Sequence, residues 1–97
     1  MPLAALAPNR VAIVTGGASG IGLAAARRFV AMGLKVCIAD LAGERLDDAA
    51  ADLAAGGTEV LAVPTDVSRK EDVVRLQQAT LDRFGAVHVL MNNAAVQ

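Results

Sequence analysis

The fold of this chain is decided by residues 15–22, Thr-Gly-Gly-Ala-Ser-Gly-Ile-Gly. An apolar run at residues 11–14 precedes this glycine turn, and a helical pattern of apolar residues follows it. A strand that leads through such a turn into a helix brings backbone N–H groups close to a phosphate, and the helix N-terminus adds a partial positive charge. The stretch therefore predicts a site for the pyrophosphate of a dinucleotide.

Composition limits the classes of protein to which the chain can belong. Its 97 residues are 55% hydrophobic, which predicts one domain with a buried core. Nine basic residues against ten acidic ones leave no basic surplus, so nucleic acid is not an expected partner. The first residues predict neither a signal peptide nor a membrane span. The single cysteine, Cys37, excludes an intrachain disulfide, and we expect a cytoplasmic location.

Apolar runs alternate with helical periods along the chain. Strands are predicted at residues 10–15, 35–40, 59–63 and 87–91, and helices at residues 20–32, 43–55 and 68–84. Ser68 and Glu71 have the spacing of a capping box at the start of the last helix. The predicted inner faces of the helices are Ile21, Ala25, Phe29 and Met32, then Leu46, Ala49, Ala50 and Leu53, and then Val73, Val74, Gln77, Leu81 and Phe84.

The order β-α-β-α-β-α-β predicts an α/β fold with a parallel sheet. Right-handed crossovers then give the strand order 3-2-1-4, a doubly wound, Rossmann-type arrangement that is partial here, with four strands and three helices. The expected domain is residues 10–97, incomplete at its C-terminal side, after an N-terminal tail at residues 1–9. Strand four is expected to be an open edge beside a half-covered face, which favours oligomerisation or self-association.

At four places the residues resemble the short-chain dehydrogenase/reductase family. Gly16, Gly20 and Gly22 match its T-G-x-x-x-G-x-G fingerprint. Asp40 after the second strand, Asp66-Val67 after the third and Asn92-Asn93-Ala94 after the fourth match its cofactor-side positions. The resemblance covers residues 10–97 and corresponds to the N-terminal part of a family member. Ala95 departs from the pattern, which has glycine there.

The resemblance implies a role for each matched residue. Ser19 and the Ile21 N–H would lie near the phosphates, and Gly22 would permit close packing of the helix. Asp40 would accept hydrogen bonds from the adenosine ribose and repel the 2′-phosphate of NADP, so NAD is the expected cofactor. Asp66 and Val67 would contact the adenine, while the stretch from Asn92 to Ala94 would border the nicotinamide half.

Each carboxylate also has a purely structural interpretation. Asp40 could be the N-cap of the following helix, because aspartate is favoured there. Asp66 could organise the turn before Ser68 through local hydrogen bonds to the backbone. Asn92 could belong to an ordinary turn at the end of a strand. Cys37 lies in mid-strand among apolar neighbours, where a free cysteine is usually a small buried hydrophobe, and His88 has no partner at ligand spacing. Both are expected to carry no chemistry, and no metal site is predicted.

Members of the family transfer hydride using a serine and a Tyr-x-x-x-Lys pair from a later segment. This chain has no tyrosine, so no catalytic residue is assigned and the chain alone is expected to be inactive. A small alcohol or carbonyl substrate would bind only with the missing C-terminal part. The alternative hypotheses are a non-catalytic dinucleotide-binding or scaffold module and, less favoured by the glycine spacing, a nucleotide-sugar epimerase or methyltransferase.

Overall fold

A computed structural model of the chain describes residues 8–93. The elements are β1 (Val11–Thr15), α1 (Gly20–Ala31), β2 (Lys35–Asp40), α2 (Glu44–Ala54), β3 (Val60–Pro64), α3 (Lys70–Phe84) and β4 (Val89–Asn92). Their boundaries lie within two residues of the predicted ones, the usual uncertainty at the ends of elements. The predicted tail lies mostly outside the described residues. No helix in residues 8–93 has the length and apolar character needed to span a membrane.

The sheet confirms the predicted topology. All strand pairs are parallel, and the order is β3-β2-β1-β4. The register aligns Thr15 with Ala39 of β2 on one side and with Asn92 of β4 on the other. The carboxyl ends of β1, β2 and β4 therefore lie at one edge of the sheet, where the strand order reverses and ligands bind in folds of this type.

The two faces of the sheet are covered unequally. Alternate residues of β1 point to opposite faces, as strand geometry requires: Ala12 and Val14 join one buried cluster, and Ile13 joins the other. The first cluster, beneath α1 and α2, is the larger one. The second lies beneath α3 alone and consists of Ile13, Cys37, Ala39, Val63 and Leu76, with Leu61, Ala79 and Phe84 packed at its margin.

The predicted inner face of α2 is confirmed, but that of α1 is wrong at both ends. Ile21 is 73% exposed and Met32 36% exposed, whereas the buried residues of α1 are Gly22 and Ala26. The cause is close packing, because small residues allow the backbone of α1 to approach the sheet. The prediction from hydrophobic spacing relied mainly on large side chains and did not identify this face of small residues.

The predicted inner face of α3 is also partly wrong. Leu76 and Thr80 are the buried residues, while Val74 is 55% exposed and Leu81 44% exposed. The apolar stripe that includes Val73 and Leu81 borders a groove of about 380 Å³ between α3 and β4. We call this the α3–β4 groove. The described residues of this face expose apolar surface, as expected. The predicted stripe lies along that surface and not against the sheet.

Candidate functional site

The glycine turn lies over the end of β2. The N–H groups of Gly16 and Gly17 both donate to the carbonyl oxygen of Ala39, with N···O distances of 2.7 and 3.3 Å. The next N–H group, of Ala18, donates to Oδ2 of Asp40 at 3.1 Å. Three consecutive backbone donors at the start of the turn are thus bonded to protein acceptors, so a ligand would have to bind further along the chain.

Free donors occur at the start of α1. Ser19 is the N-cap, with extended backbone and no side-chain cap hydrogen bond. The first N–H groups of any helix lack an acceptor within the helix. Among residues 8–93, no hydrogen bond is present to the N–H groups of Gly20, Ile21 and Gly22. This first turn therefore presents donors, together with the positive end of the helix dipole, at the carboxyl edge of the sheet.

Gly22 is packed too tightly to carry a side chain. A Cβ built there would lie 2.1 Å from the carbonyl oxygen of Gly16 and 2.9 Å from Nδ2 of Asn93. Asn93 Nδ2 itself donates to Gly16 O at 3.5 Å. The first turn of α1, the glycine turn and the end of β4 are therefore in direct contact. Asn93 belongs to the predicted strand-end motif that begins at Asn92, and its side chain contacts the glycine turn.

Thr15 joins the ends of β1 and β4. Its hydroxyl donates to Oδ1 of Asn92 at 3.0 Å and accepts the N–H of Asn93 at 2.9 Å. The hydroxyl also lies 3.4 Å from the Met91 carbonyl oxygen. Thr15 is buried, which strengthens such contacts by excluding competing water. The predicted adjacency of the glycine turn and Asn92 is therefore present, with Thr15 as the connecting residue.

Asp40 does not cap the following helix. The N-cap of α2 is Gly43, whose φ of 149° is accessible to glycine, so the capping interpretation of Asp40 is wrong. Instead, Oδ1 accepts the Leu41 N–H at 2.8 Å, and Oδ2 accepts the Ala18 N–H. A carboxylate oxygen has two lone pairs, so each oxygen retains capacity for one further donor. The side chain of Leu41 is 66% exposed beside it.

Asp66 organises the turn before α3. Its Oδ1 accepts both the backbone N–H of Ser68 at 2.9 Å and the Ser68 hydroxyl at 2.6 Å. These two hydrogen bonds, the hydroxyl first, hold the pKa of the Asp66 carboxyl below its ordinary value, and Arg69 adds a smaller effect in the same direction. The structural interpretation of Asp66 is thus observed, and it leaves Oδ2 for a different partner.

The predicted capping box is not formed. The N-cap of α3 is Arg69, and Ser68 donates its hydroxyl to Asp66. Glu71, the expected box acid, pairs instead with the Arg69 side chain at 3.0 Å. Asp72 accepts the backbone N–H of Asp66 at 2.9 Å. The carboxylate that bonds back from the first turn of α3 is therefore that of Asp72, and the Ser68 hydroxyl is taken by the aspartate two residues before it.

A cavity of about 310 Å³ opens beside Asp40, between the ends of β2 and β3. Its lining residues are Leu41, Ala42, Pro64, Thr65, Asp66, Arg69, Asp72 and Arg75. The Thr65 N–H donates to the Asp40 carbonyl at 2.7 Å, which joins the two strand ends beneath the cavity. Val67, the neighbour of the lining residue Asp66, is not itself among these residues and lines the α3–β4 groove with Thr15 and Asn92.

Other residues noted in the sequence have structural contacts. Nδ1 of His88 accepts the Val11 N–H at 2.9 Å, so an imidazole stands where a strand carbonyl would otherwise pair. The backbone N–H of His88 donates to the Val11 carbonyl oxygen at 2.8 Å, and β4 begins at the next residue, Val89, two residues after the predicted start. Cys37 is buried, and burial raises the pKa of its thiol despite a hydrogen bond with Thr80. Ala94 lies outside the described residues.

Comparison with known proteins gives a consistent result. A family model described as short chain dehydrogenase matches residues 10–97. The chain is 46% identical, over 88 residues, to 1-deoxy-11-beta-hydroxypentalenate dehydrogenase of Streptomyces exfoliatus. That match covers 91% of this chain and 32% of the enzyme, so the chain spans about a third of the length of this relative.

Two solved structures have the same fold as this chain. A short chain dehydrogenase/reductase from Burkholderia phymatum, in complex with NAD, has a TM-score of 0.83 at 40% identity, over 86% of this chain and 30% of the other. L-Sorbose reductase from Gluconobacter frateurii, complexed with NADPH and L-sorbose, has a TM-score of 0.89 at 35% identity, over 93% of this chain and 35% of the other. The dinucleotide differs between these two relatives.

Proposed function

This chain belongs to the short-chain dehydrogenase family, and we propose that its residues hold the NAD cofactor of an oxidoreductase that acts on a small alcohol or carbonyl compound. One observation carries the proposal. The Asp40 carboxylate accepts the Ala18 N–H of the glycine turn at 3.1 Å and the N–H of Leu41 at 2.8 Å, and Leu41 lines the cavity of about 310 Å³. A phosphate site, an acceptor for hydroxyls and a cavity thus follow one another along the sheet edge.

In the proposed complex, the pyrophosphate lies at the first turn of α1. The N–H groups of Gly20 and Ile21 have no acceptor among the described residues, and the Ser19 hydroxyl makes no cap hydrogen bond. Gly16 has φ of 68°, which lets the backbone reverse direction before the helix. Gly22 keeps that helix close to the turn. These features favour an anion at this helix N-terminus.

Asp40 supports NAD over NADP. Each of its oxygens accepts one backbone N–H and can still accept a ribose hydroxyl. A phosphate on the same hydroxyl would bring a second negative charge next to the carboxylate and replace a donor with an acceptor. Since the relatives include both an NAD and an NADPH complex, this charge is the feature of the chain that we propose decides between the two cofactors.

The cavity beside Asp40 suits an adenine. Leu41 and Pro64, both exposed, offer apolar surface for a flat ring. Oδ2 of Asp66 would accept from the exocyclic amine, since Oδ1 is bonded to Ser68. The Val67 backbone N–H is proposed as a donor to the ring edge. Asn92, the last residue of β4, and the residues that follow it in the sequence as far as Ala94 are proposed to border the nicotinamide half.

The chemistry of the whole protein is part of the proposal. Bound NAD supplies a hydride acceptor to such a site. The residues of this chain would bind and orient the dinucleotide, and the Thr15 contacts would hold the ends of β1 and β4 together beneath it. No acid–base catalyst is assigned among the 97 residues, which include no tyrosine.

Calorimetric titration with NAD and NADP tests the proposal. We expect NAD to bind at least about tenfold more tightly, a difference of ~1.4 kcal/mol, because of the Asp40 charge. Asp40→Asn, which removes that charge but keeps one oxygen acceptor, should reduce the difference in affinity between NAD and NADP. Asp47→Asn, at an exposed carboxylate of α2, is the matched control and should leave it unchanged. Equal affinities, or tighter binding of NADP to the unmodified chain, would contradict the assignment of Asp40.

A further inference from the structure

We propose that Asp40 is also the positioning residue of the phosphate turn: its carboxylate sets the direction of the first turn of α1, apart from any contact with the ribose. This inference rests on the proposed function. The observation behind it is the hydrogen bond from the Ala18 N–H to Oδ2, which joins the β2 end to the glycine turn across 22 positions of sequence.

The turn has little freedom to find another arrangement. A Cβ built on Gly17 would lie 2.8 Å from Cβ of Ile38, so the turn is pressed against β2 at that point. Ala18 is only 5% exposed and belongs to the buried cluster beneath α1 and α2. Its N–H group therefore has poor access to water, and loss of its acceptor leaves a largely buried donor unpaired.

The position of Ala18 determines what comes next in the chain. Ser19, the N-cap of α1, follows it directly, and the proposed phosphate donors on Gly20 and Ile21 follow Ser19. If Ala18 turns its N–H toward water, it rotates the peptide that leads into these donors. The carboxylate thus acts on a phosphate ligand through the backbone, over a path of three residues.

The Asp40 carboxylate would affect the binding of an anion in two opposite ways, through its charge and through the position of the backbone donors. A carboxylate near a phosphate repels it, so removing the charge should by itself tighten binding of a phosphate ligand. Removing the acceptor for Ala18 should weaken binding, because the donors lose their orientation. A probe without a ribose separates the two effects, and inorganic pyrophosphate is such a probe.

The experiment is an NMR titration of the chain with inorganic pyrophosphate, followed at the amide signals of Gly20 and Ile21. We expect Asp40→Ala to weaken pyrophosphate binding about tenfold, the effect of one lost hydrogen bond to a buried donor. Asp40→Asn retains one oxygen, which can accept the Ala18 N–H at the expense of the bond from Leu41, and should bind pyrophosphate at least as tightly as the unmodified chain. Amide exchange at Ala18 should accelerate in the alanine variant and stay slow in the asparagine variant.

Asp47→Ala, which removes the same charge from an exposed position on α2, is the control for the change in net charge and should bind pyrophosphate like the unmodified chain. Unchanged or tighter pyrophosphate binding by Asp40→Ala would overturn the inference, as would unaltered exchange at Ala18. Binding of NAD without detectable binding of pyrophosphate would also overturn it. Failure of the unmodified chain to bind NAD contradicts the proposed function instead, and Ala18 exchange in the variants still tests the positioning role.

Discussion

At the residue scale, two aspartates at neighbouring strand ends have different roles because they bond to different partners. Asp40 accepts N–H groups from the glycine turn and from Leu41, so it connects distant parts of the chain. Asp66 accepts the backbone and hydroxyl donors of Ser68, which lies only two positions away. The sequence shows an acidic residue after a strand in both cases, and the contacts distinguish them.

The Asp66 contacts predict a pH dependence of stability. Because the folded state lowers the pKa of this carboxyl, the ionised form stabilises the fold; that stabilisation is complete above the ordinary value of 3.8 and is lost as pH falls through the lower, folded value. Asp66→Asn keeps an acceptor but cannot ionise. The unfolding free energies of the unmodified chain and of Asp66→Asn can be measured by denaturation at a series of pH values from neutrality into the acid range. The difference between them should shrink at pH values below 3.8, the ordinary pKa of this carboxyl. A constant difference would contradict this assignment.

At the element scale, the site depends on how strand ends are joined. The Thr15 hydroxyl bonds to both Asn92 and the N–H of Asn93, so it fixes the end of β4 against β1. β4 has four residues and, within residues 8–93, pairs with β1 alone. A short edge strand of this kind depends more on such side-chain contacts than a central strand does.

Thr15→Val preserves the shape of the side chain and removes the hydroxyl. We expect it to lower the free energy of unfolding by about 1–3 kcal/mol, because the Asn93 N–H loses its acceptor. Chemical denaturation measures this change, and amide exchange should locate it in β4. Thr58→Val, in the segment between α2 and β3, is the matched control. Equal effects of the two substitutions would show that the β1–β4 contact is not the cause.

At the scale of the whole molecule, one face of the sheet is better covered than the other. The α3–β4 groove has a volume of about 380 Å³ and includes the apolar side chains of Leu81, Val87 and Leu90, all of them exposed. Leu90 alone is 56% exposed in the middle of a strand. Contiguous apolar surface of this kind binds apolar molecules more readily than isolated exposed side chains do.

The groove should bind a hydrophobic dye. We expect the folded chain to enhance the fluorescence of anilinonaphthalene sulfonate, and Leu90→Lys, which places a charge in the groove, to abolish most of that enhancement. Val74→Lys is the control, because Val74 is exposed on α3 but does not line the groove. Circular dichroism should confirm that both variants are folded. Equal fluorescence of the two variants would show that the dye binds elsewhere.

The sequence by itself determined the fold and which segments lie at the same edge of the sheet. Strand and helix order together with right-handed crossovers require the order 3-2-1-4, and this brings residues 15–22 and Asn92 to one sheet edge. The family was also evident from glycine spacing and three strand-end motifs. These features follow from local patterns, which depend on residues close together in the chain.

Only the tertiary structure decided how the matched residues are bonded. The buried face of α1 consists of Gly22 and Ala26. At the start of α3, Asp72 accepts the Asp66 N–H and no capping box forms. Asp40 accepts the Ala18 N–H. Each of these outcomes results from competition among donors, acceptors and packing surfaces that lie far apart in sequence or crowd the same turn. Residue spacing cannot rank such competitors, because their distances and burial exist only once the chain has folded.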